Sequence, residues 1–422
     1  MTGLDFTIIA AGLLLFTLVS KRLGQSILTP PMLFSIFGLL ISSYALDLVT
    51  IDVEHGAIHT LAELTLILVL FADATRIDLS SLRREQNLPA RMLLIGLPLA
   101  IVLGAAVALP LFANFGVWSA AVLATMLAPT DAALGQVVVS SPRVPMRIRQ
   151  TLNVESGLND GIVLPVLIVL LSLAGATEAQ QSAGELVRFG LLQITLGPLV
   201  GVLVGYAGGW LIRFSVRRDW ITHEAQEISA VALAVLAFGG AEVVGGNGFI
   251  AAFSAGLVLG NWFPAICQRL YDFAETEGHL LTLFVFLIFG AVLLPESLAV
   301  LTGATLLYAM LSLTLIRMIP IAISLLGVGL RWETVAFLGW FGPRGLATIL
   351  FGLLVLDESS LLQRGEITWI AMTTVCLSIL THGLTAYPLA SWYGRRMETM
   401  PAEETPERQA ANHMPLPMGM TD

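Results

Sequence analysis

Residues Glu155-Ser-Gly-Leu-Asn159-Asp160 place two carboxylates, an amide and a hydroxyl at the head of a run too apolar for anything but burial in a membrane. A charged side chain at bilayer depth costs roughly 2.5–3.5 kcal/mol on insertion scales, and such residues usually mark ion pathways or proton relays. Glu155/Asn159 and Ser156/Asp160 are both i,i+4 pairs, so four oxygen-bearing side chains occupy adjoining strips of one helix face. Hard cations prefer oxygen ligands, and a proton competes for the same carboxylate. Asp160 is the expected carrier: a buried carboxylate must be neutralised, and competition between a proton and a monovalent cation for one site is enough to couple two fluxes.

Upstream, Leu-Ala-Pro-Thr130-Asp131 interrupts another apolar run. Freed carbonyls, the Thr130 hydroxyl and the Asp131 carboxylate are candidates to join Asp160 in an oxygen-only shell. Asp131 can also serve as N-cap of the half-helix that follows it, and the two roles are compatible. Two arginines, Arg317 and Arg344, lie in apolar segments of their own and demand partners, because a guanidinium stays protonated when buried. The available carboxylates are Glu155 and Glu63. Pairing Glu155 with Arg317, and Glu63 with Arg344 near Asn159, is favoured over the crossed arrangement, and these pairs are read as structural. Asp73, near the end of its apolar run, is read as interfacial.

The elements that must position these groups follow from composition. The chain is 56% hydrophobic and only 12% charged, against about 25% charged in an ordinary soluble domain. Apolar segments near 4–20, 31–49, 57–75, 90–112, 117–139, 151–174, 187–213, 226–244, 248–263, 279–294, 298–327, 332–356 and 367–391 predict an all-α polytopic membrane protein. With ~20 residues per span, that is about 13 transmembrane helices. The first apolar run lacks a basic leader and a small-residue cleavage site, so it is expected to remain in the mature protein. Arginine and lysine cluster after the odd-numbered spans, at Lys21/Arg22, Arg83/Arg84, Arg147/Arg149, Arg217/Arg218, Arg269, Arg331 and Arg395/Arg396. Cytoplasmic loops collect such residues, so the N-terminus is expected outside and the C-terminus in the cytoplasm.

Spans 5 and 12 both carry helix-breaking sequences, the second being Gly342-Pro-Arg344-Gly. Taking span 7 as a linker gives two inverted six-helix repeats, with interrupted helices 5 and 12 crossing at the midplane. Paired broken helices in inverted halves point to a secondary transporter, and unwound backbone is tolerated there because it lines a cavity. The symmetry rests on topology, since no residue-by-residue repeat is evident. Residues 396–422, acidic and containing Pro and Met, read as a short disordered cytoplasmic tail that contributes to the net charge of −9. Cys267 and Cys376 have no metal or redox spacing and read as core residues. His382 reads as a hydrogen-bonded packing histidine and His279 as interfacial; His55, His59, His223 and His413 form no ligand pattern.

The chain resembles the cation:proton antiporter-1 family, the bacterial sodium/proton exchangers related to animal sodium/hydrogen exchangers. The resemblance is carried by Glu155-Ser-Gly-Leu-Asn159-Asp160, Thr130-Asp131, Arg317 and Gly342-Pro-Arg344-Gly, and covers nearly the whole chain to about residue 395. It implies a multi-pass protein of the bacterial plasma membrane, a homodimer with a dimerisation part (about 1–76 and 226–294) and an ion-translocating core (about 90–175 and 298–392), and an elevator-like movement of the core. It implies that Thr130, Asp131, Ser156 and Asp160 ligate the cation while Asn159 steadies the site. It further implies electroneutral one-for-one exchange of Na⁺, and of Li⁺, for H⁺, since Asn159 stands where electrogenic relatives have a second Asp. No cofactor, nucleic acid or enzymatic activity is expected. Three rivals remain: a potassium/proton exchanger of the same fold, an intramembrane aspartyl hydrolase using Asp131 and Asp160, and a passive cation channel.

Overall fold

The computed structural model describes residues 3–23, 28–49, 56–75, 77, 88–179, 183–357, 361–399 and 407. Every described regular element is helical. The first half contains α1 (Gly3–Leu23), α2 (Pro30–Ile41), α3 (Gly56–Thr75) and α4 (Pro89–Leu111). It continues with the half-helices α5 (Val117–Met126) and α6 (Ala132–Val139), and then with α7 (Met146–Ala179). Next come α8 (Ala183–Arg217), α9 (His223–Val243), α10 (Gly248–Trp262) and α11 (Pro264–Ile288), which passes through a π-turn at Phe289–Leu293 into α12 (Leu294–Ala299). The last elements are α13 (Gly303–Leu313), α14 (Leu315–Ser324), the half-helices α15 (Trp332–Trp340) and α16 (Leu346–Asp357), and α17 (Arg364–Glu398). Eight helical stretches are by themselves long and apolar enough to cross a bilayer, among them Pro89–Leu111, Met146–Gly175 and Arg364–Glu398.

Small residues set the closest helix contacts. Gly197, Gly201 and Gly205 form a stripe on α8 that lies directly on the carbonyls of Asn247, Ala251 and Ala255 in α10. On the other face of α10, Gly256 and Gly260 admit the carbonyls of Phe71 and Thr75 at the end of α3. A β-carbon at these positions would overlap backbone, the same logic that brings small residues to helix interfaces in membranes. The α2–α11 crossing is built likewise: Gly290, in the π-turn, rests on Ser35, and Gly38 rests on Leu287.

Local chemistry ends the helices where the sequence demands. Thr29 caps α2 ahead of Pro30 and Pro31, and the Asn247 side chain accepts the Ile250 N–H at 2.9 Å to start α10. Arg91 in α4 donates from Nε to Ser324 O (2.6 Å) and from Nη2 to Leu326 O (2.7 Å), satisfying carbonyls at the end of α14.

Two features depart from the sequence reading. The apolar run 298–327 contains a third interruption at Thr314, whose φ/ψ of −113°/−95° separates α13 from α14. Pro320 in α14 has no N–H to offer Ile316, and the helix is interrupted two residues ahead of Ile316. The tail, expected to be disordered throughout 396–422, is helical to Glu398, and its described residue Glu407 is fully buried. Glu407 Oε1 accepts from Arg331 N–H (3.1 Å) and from Thr334 Oγ1 (2.9 Å) at the start of α15. Such an acceptor satisfies a helix N-terminus from outside the helix. The remaining tail residues 400–406 and 408–422, with Arg76, Arg83 and Arg84 and with His55 and His413, lie outside the described residues.

Candidate ion-binding site at the two broken helices

Pro129 and Pro343 each remove a backbone donor, and helices α5 and α15 stop before them, leaving 127–131 and 341–345 outside the helices. These two breaks hydrogen-bond to each other: Asp131 N–H donates to Pro343 O at 2.8 Å. Four half-helix ends therefore gather at one place, two of them carbonyl-rich and two N–H-rich.

One ionised side chain answers each kind of end. Arg344, 1% exposed, donates from Nη1 to Gly342 O (2.9 Å), Pro129 O (3.2 Å) and Ala128 O (3.5 Å), the carbonyl ends following α15 and α5. The Asp131 carboxylate accepts the Leu346 N–H at 2.7 Å, capping α16. Gly345 permits this, because a β-carbon there would run into the Asp131 carboxylate. The sequence offered Asp131 as a cap for its own following half-helix and Glu63 as the partner of Arg344. In the structure the Asp131 carboxylate reaches the half-helix of the other repeat while Asp131 stands at the head of its own, and backbone carbonyls take the place of Glu63 as partners of Arg344. The reason is common to both: the opposed breaks bring each charge to the other's orphaned backbone groups.

Glu155 and Arg317 join α7 to α14 by a two-pronged ion pair, Nη1 to Oε1 at 2.6 Å and Nη2 to Oε2 at 2.7 Å, with both side chains 2% exposed. Parallel prongs of this kind are the strongest geometry available to a guanidinium and a carboxylate. Gly342 leaves room for it, since a β-carbon would overlap the Arg317 guanidinium.

The oxygen set lies on α7 beside the first break. Asn159 Nδ2 donates to Thr130 Oγ1 at 2.7 Å, and Thr130 Oγ1 lies 3.0 Å from Ser156 Oγ. Asn159 is completely buried, and its Oδ1, like Oδ1 of Asp160, has no hydrogen-bond partner among the described residues. A buried carboxylate oxygen left to itself is costly. A cation or a proton is the chemistry that satisfies it. Among the described residues no three His, Cys, Asp or Glu side chains converge as a metal cluster. The donor set is instead hydroxyls, an amide and few carboxylates, which suits a weakly held monovalent cation. Along α7, the exposed Asn153 and the partly exposed Ser156 and Asp160 succeed one another, while Phe253 of α10 packs onto Gly161 just beyond.

Asp73 of α3 was read as interfacial. It is one of the two carboxylates, with Asp131, that bear electrostatically on Asp160. Its signal in the sequence was the rarity of a carboxylate in an apolar span; what the sequence withheld is that α3 packs against α7. Glu63 is partly buried on α3 and takes no part in these bonds. His382 is buried and hydrogen-bonded at both ring nitrogens, to Trp340 O (2.9 Å) and to Ser378.

An all-helical membrane-spanning chain whose two broken helices meet at buried, oppositely charged side chains has the architecture of a secondary transporter. The profile described as "Sodium/hydrogen exchanger, transmembrane" matches residues 8–392, and the chain belongs to that family. It is 26% identical over 424 residues to a K(+)/H(+) antiporter, NhaP, of Alkalimonas amylolytica, covering 97% of this chain and 70% of that protein. It is 23% identical to the K(+)/H(+) antiporter NhaP2 of Shewanella sp. (strain MR-4), covering 82% of this chain and 59% of that one. With a Na(+)/H(+) antiporter of Schizosaccharomyces pombe it shares 22% identity over 85% of this chain and 83% of the other. Among solved structures, the sodium proton antiporter MjNhaP1 from Methanocaldococcus jannaschii at pH 8 superposes with a TM-score of 0.76 at 20% identity, covering 92% of this chain and 98% of that one.

Proposed function

We propose that the protein is a secondary antiporter that exchanges Na⁺, and Li⁺, for H⁺ across the bacterial plasma membrane, one for one and without net charge movement. The observation that carries this reading is the buried, unpartnered Oδ1 of Asp160 beside the Thr130–Ser156–Asn159 oxygen cluster. A proton on Asp160 and a cation held by Asp160, Ser156 and Thr130 are alternative ways to neutralise one carboxylate, so each expels the other. Arg317 is already paired with Glu155, and Arg344 is held by the backbone carbonyls of the two breaks, which leaves them as scaffold rather than cargo. Asn159, where a second carboxylate would add a charge, supports electroneutral exchange. The resemblance of the whole chain to the exchangers supports a homodimer, an elevator-like movement of the core against the dimerisation part, and an N-terminus outside with the C-terminus in the cytoplasm.

Potassium is the second reading, favoured by the Alkalimonas and Shewanella relatives, which are K(+)/H(+) antiporters. Na⁺ and K⁺ use the same oxygen ligands, and the ligand types alone do not separate them. The test is dequenching of a pH-sensitive dye in acid-loaded proteoliposomes on adding Na⁺, Li⁺ or K⁺, with the membrane potential clamped or free. Cation-driven alkalinisation that is independent of potential supports electroneutral antiport and names the ion. Conduction of the cation without proton counterflow sinks it in favour of a channel.

A further inference from the structure

We infer that Ser378 and His382 are positioning residues of the ion site, clipping both ends of the 341–345 break to the uninterrupted helix α17. Both are almost completely buried, and their i,i+4 spacing puts them on one face of α17. Before the break, the Trp340 carbonyl lies 2.9 Å from His382 Nε2. Near its far end, the Arg344 N–H donates to Ser378 Oγ at 2.6 Å. The Trp340–His382 ring contact, with centroids 5.2 Å apart, holds the imidazole in place.

The direction of this chain follows from what each atom can do. A backbone N–H only donates, so Ser378 Oγ is the acceptor for Arg344 and keeps its own hydrogen for another partner. A backbone carbonyl only accepts, so the imidazole hydrogen sits on Nε2, facing Trp340. Nδ1 lies 3.0 Å from the Ser378 carbonyl and 3.2 Å from Ser378 Oγ, which anchors the ring to its own helix. Two neighbouring side chains of α17 thus hold Trp340 C=O and Arg344 N–H, on either side of Phe341-Gly342-Pro343.

Neither residue bonds to Thr130, Ser156, Asn159 or Asp160, so any effect on the ion passes through the loop they hold. That loop carries Arg344, whose guanidinium grips the carbonyls of Ala128 and Pro129 immediately before Thr130, and it leads into Leu346, which is held by Asp131. Loosening the clip lets the first break, and with it Thr130, drift relative to Asp160.

The kinetic part of the test rests on the antiport reading; the structural part does not. Wild type, Ser378→Ala, His382→Ala, His382→Gln and the double alanine variant are compared in proteoliposomes for half-saturating cation concentration and maximal rate. Thr385→Val is the control, because it removes the Trp340 Nε1–Thr385 bond between the same helices without touching the break. Loss of one net hydrogen bond is expected to raise the half-saturating concentration about tenfold in each alanine variant with the maximal rate nearly kept. The double variant is expected to be no worse than the poorer single one, since both act on one loop. His382→Gln, whose amide can still donate to Trp340, restores most of the affinity, and Thr385→Val resembles wild type. In parallel, hydrogen–deuterium exchange of the 341–346 backbone should quicken about tenfold in His382→Ala and not in Thr385→Val. An exchanging wild type whose alanine variants keep wild-type affinity, or no added deuterium uptake at 341–346, overturns the clip. A wild type that moves no cation refutes the antiport reading alone, and deuterium uptake then decides the clip by itself.

Discussion

Asp131 and Leu346 lie in opposite halves of the chain, yet the carboxylate of one caps the helix begun by the other, at 2.7 Å. The bond locks the two breaks in register and brings a negative side chain to an N–H-rich helix end, where it is favoured. Arg344 does the complementary work at the carbonyl-rich ends. The crossing is therefore held by two mutually exchanged caps.

Removing that cap separates its structural from its electrical part. Asp131→Asn keeps an acceptor oxygen for Leu346 N–H and is expected to stay near wild-type thermal stability. Asp131→Ala removes it and is expected to cost about 1–2 kcal/mol, as caps do. Thermal unfolding in detergent measures both. Equal losses from Asn and Ala would mean that the charge, and not the hydrogen bond, holds Leu346.

Gly345→Ala offers the same question from the other side. Its new methyl group must displace the Asp131 carboxylate, and overpacking of this kind costs typically ~1–3 kcal/mol. Combining it with Asp131→Ala, which vacates the space, should recover part of the loss. Fully additive destabilisation in that double variant would show that the methyl group meets something other than Asp131.

For the Glu155–Arg317 pair, breaking one side leaves a buried charge alone, which is expected to cost about 3–5 kcal/mol. Arg317→Ala and Glu155→Gln should each lower thermal stability sharply, and an Arg317→Met/Glu155→Leu double replacement should be milder than either. Arg317→Ala is also expected to alter cation affinity less than it alters stability. The reverse balance would assign Arg317 a direct part in transport.

Much of this arrangement was legible in the sequence because proline, glycine and buried charge announce themselves. Pro129 and Pro343 marked the breaks, and Glu155 and Arg317 were matched as the charges most in need of each other. What stayed hidden has a physical pattern. Charges in a sequence invite pairing with other charges, so Arg344 was given Glu63; its real partners are carbonyls, which every residue carries and no letter advertises. That Asp131 also caps a helix from the other half was not legible, because the approach of residue 346 is a tertiary fact. The bend at Thr314 lacks a glycine or proline at its own position, and the closeness of Asp73 to Asp160 depends on how α3 meets α7. Glu407 sat in a stretch whose composition suggested disorder, though one carboxylate with a free helix end to satisfy is enough to bury it.

That last residue carries a prediction on stability. Glu407 Oε1 holds both Arg331 N–H and Thr334 Oγ1, and Thr334 in turn lies 2.9 Å from the Tyr393 hydroxyl of α17. Glu407→Ala removes the acceptor from the start of α15 and is expected to cost about 1–2 kcal/mol. Glu407→Gln, which retains a carbonyl oxygen, should lose less. Unchanged melting of the alanine variant would show that water replaces the carboxylate without penalty.

Asp160→Asn is the substitution on which the functional reading stands. It preserves shape and polarity at the end of the Ser156/Asp160 strip but deletes the only charge that a proton and a cation would share. The variant is expected to fold, to melt close to wild type because no protein bond to Oδ1 is lost, and to show no cation-driven alkalinisation at any pH. Binding should fail in the same way: addition of Na⁺ or Li⁺ should raise the melting temperature of wild type in proportion to ligand occupancy and leave the variant unmoved. Retained exchange would remove Asp160 from the mechanism and turn attention to Asp73, the other carboxylate near that position that is not engaged in capping Leu346.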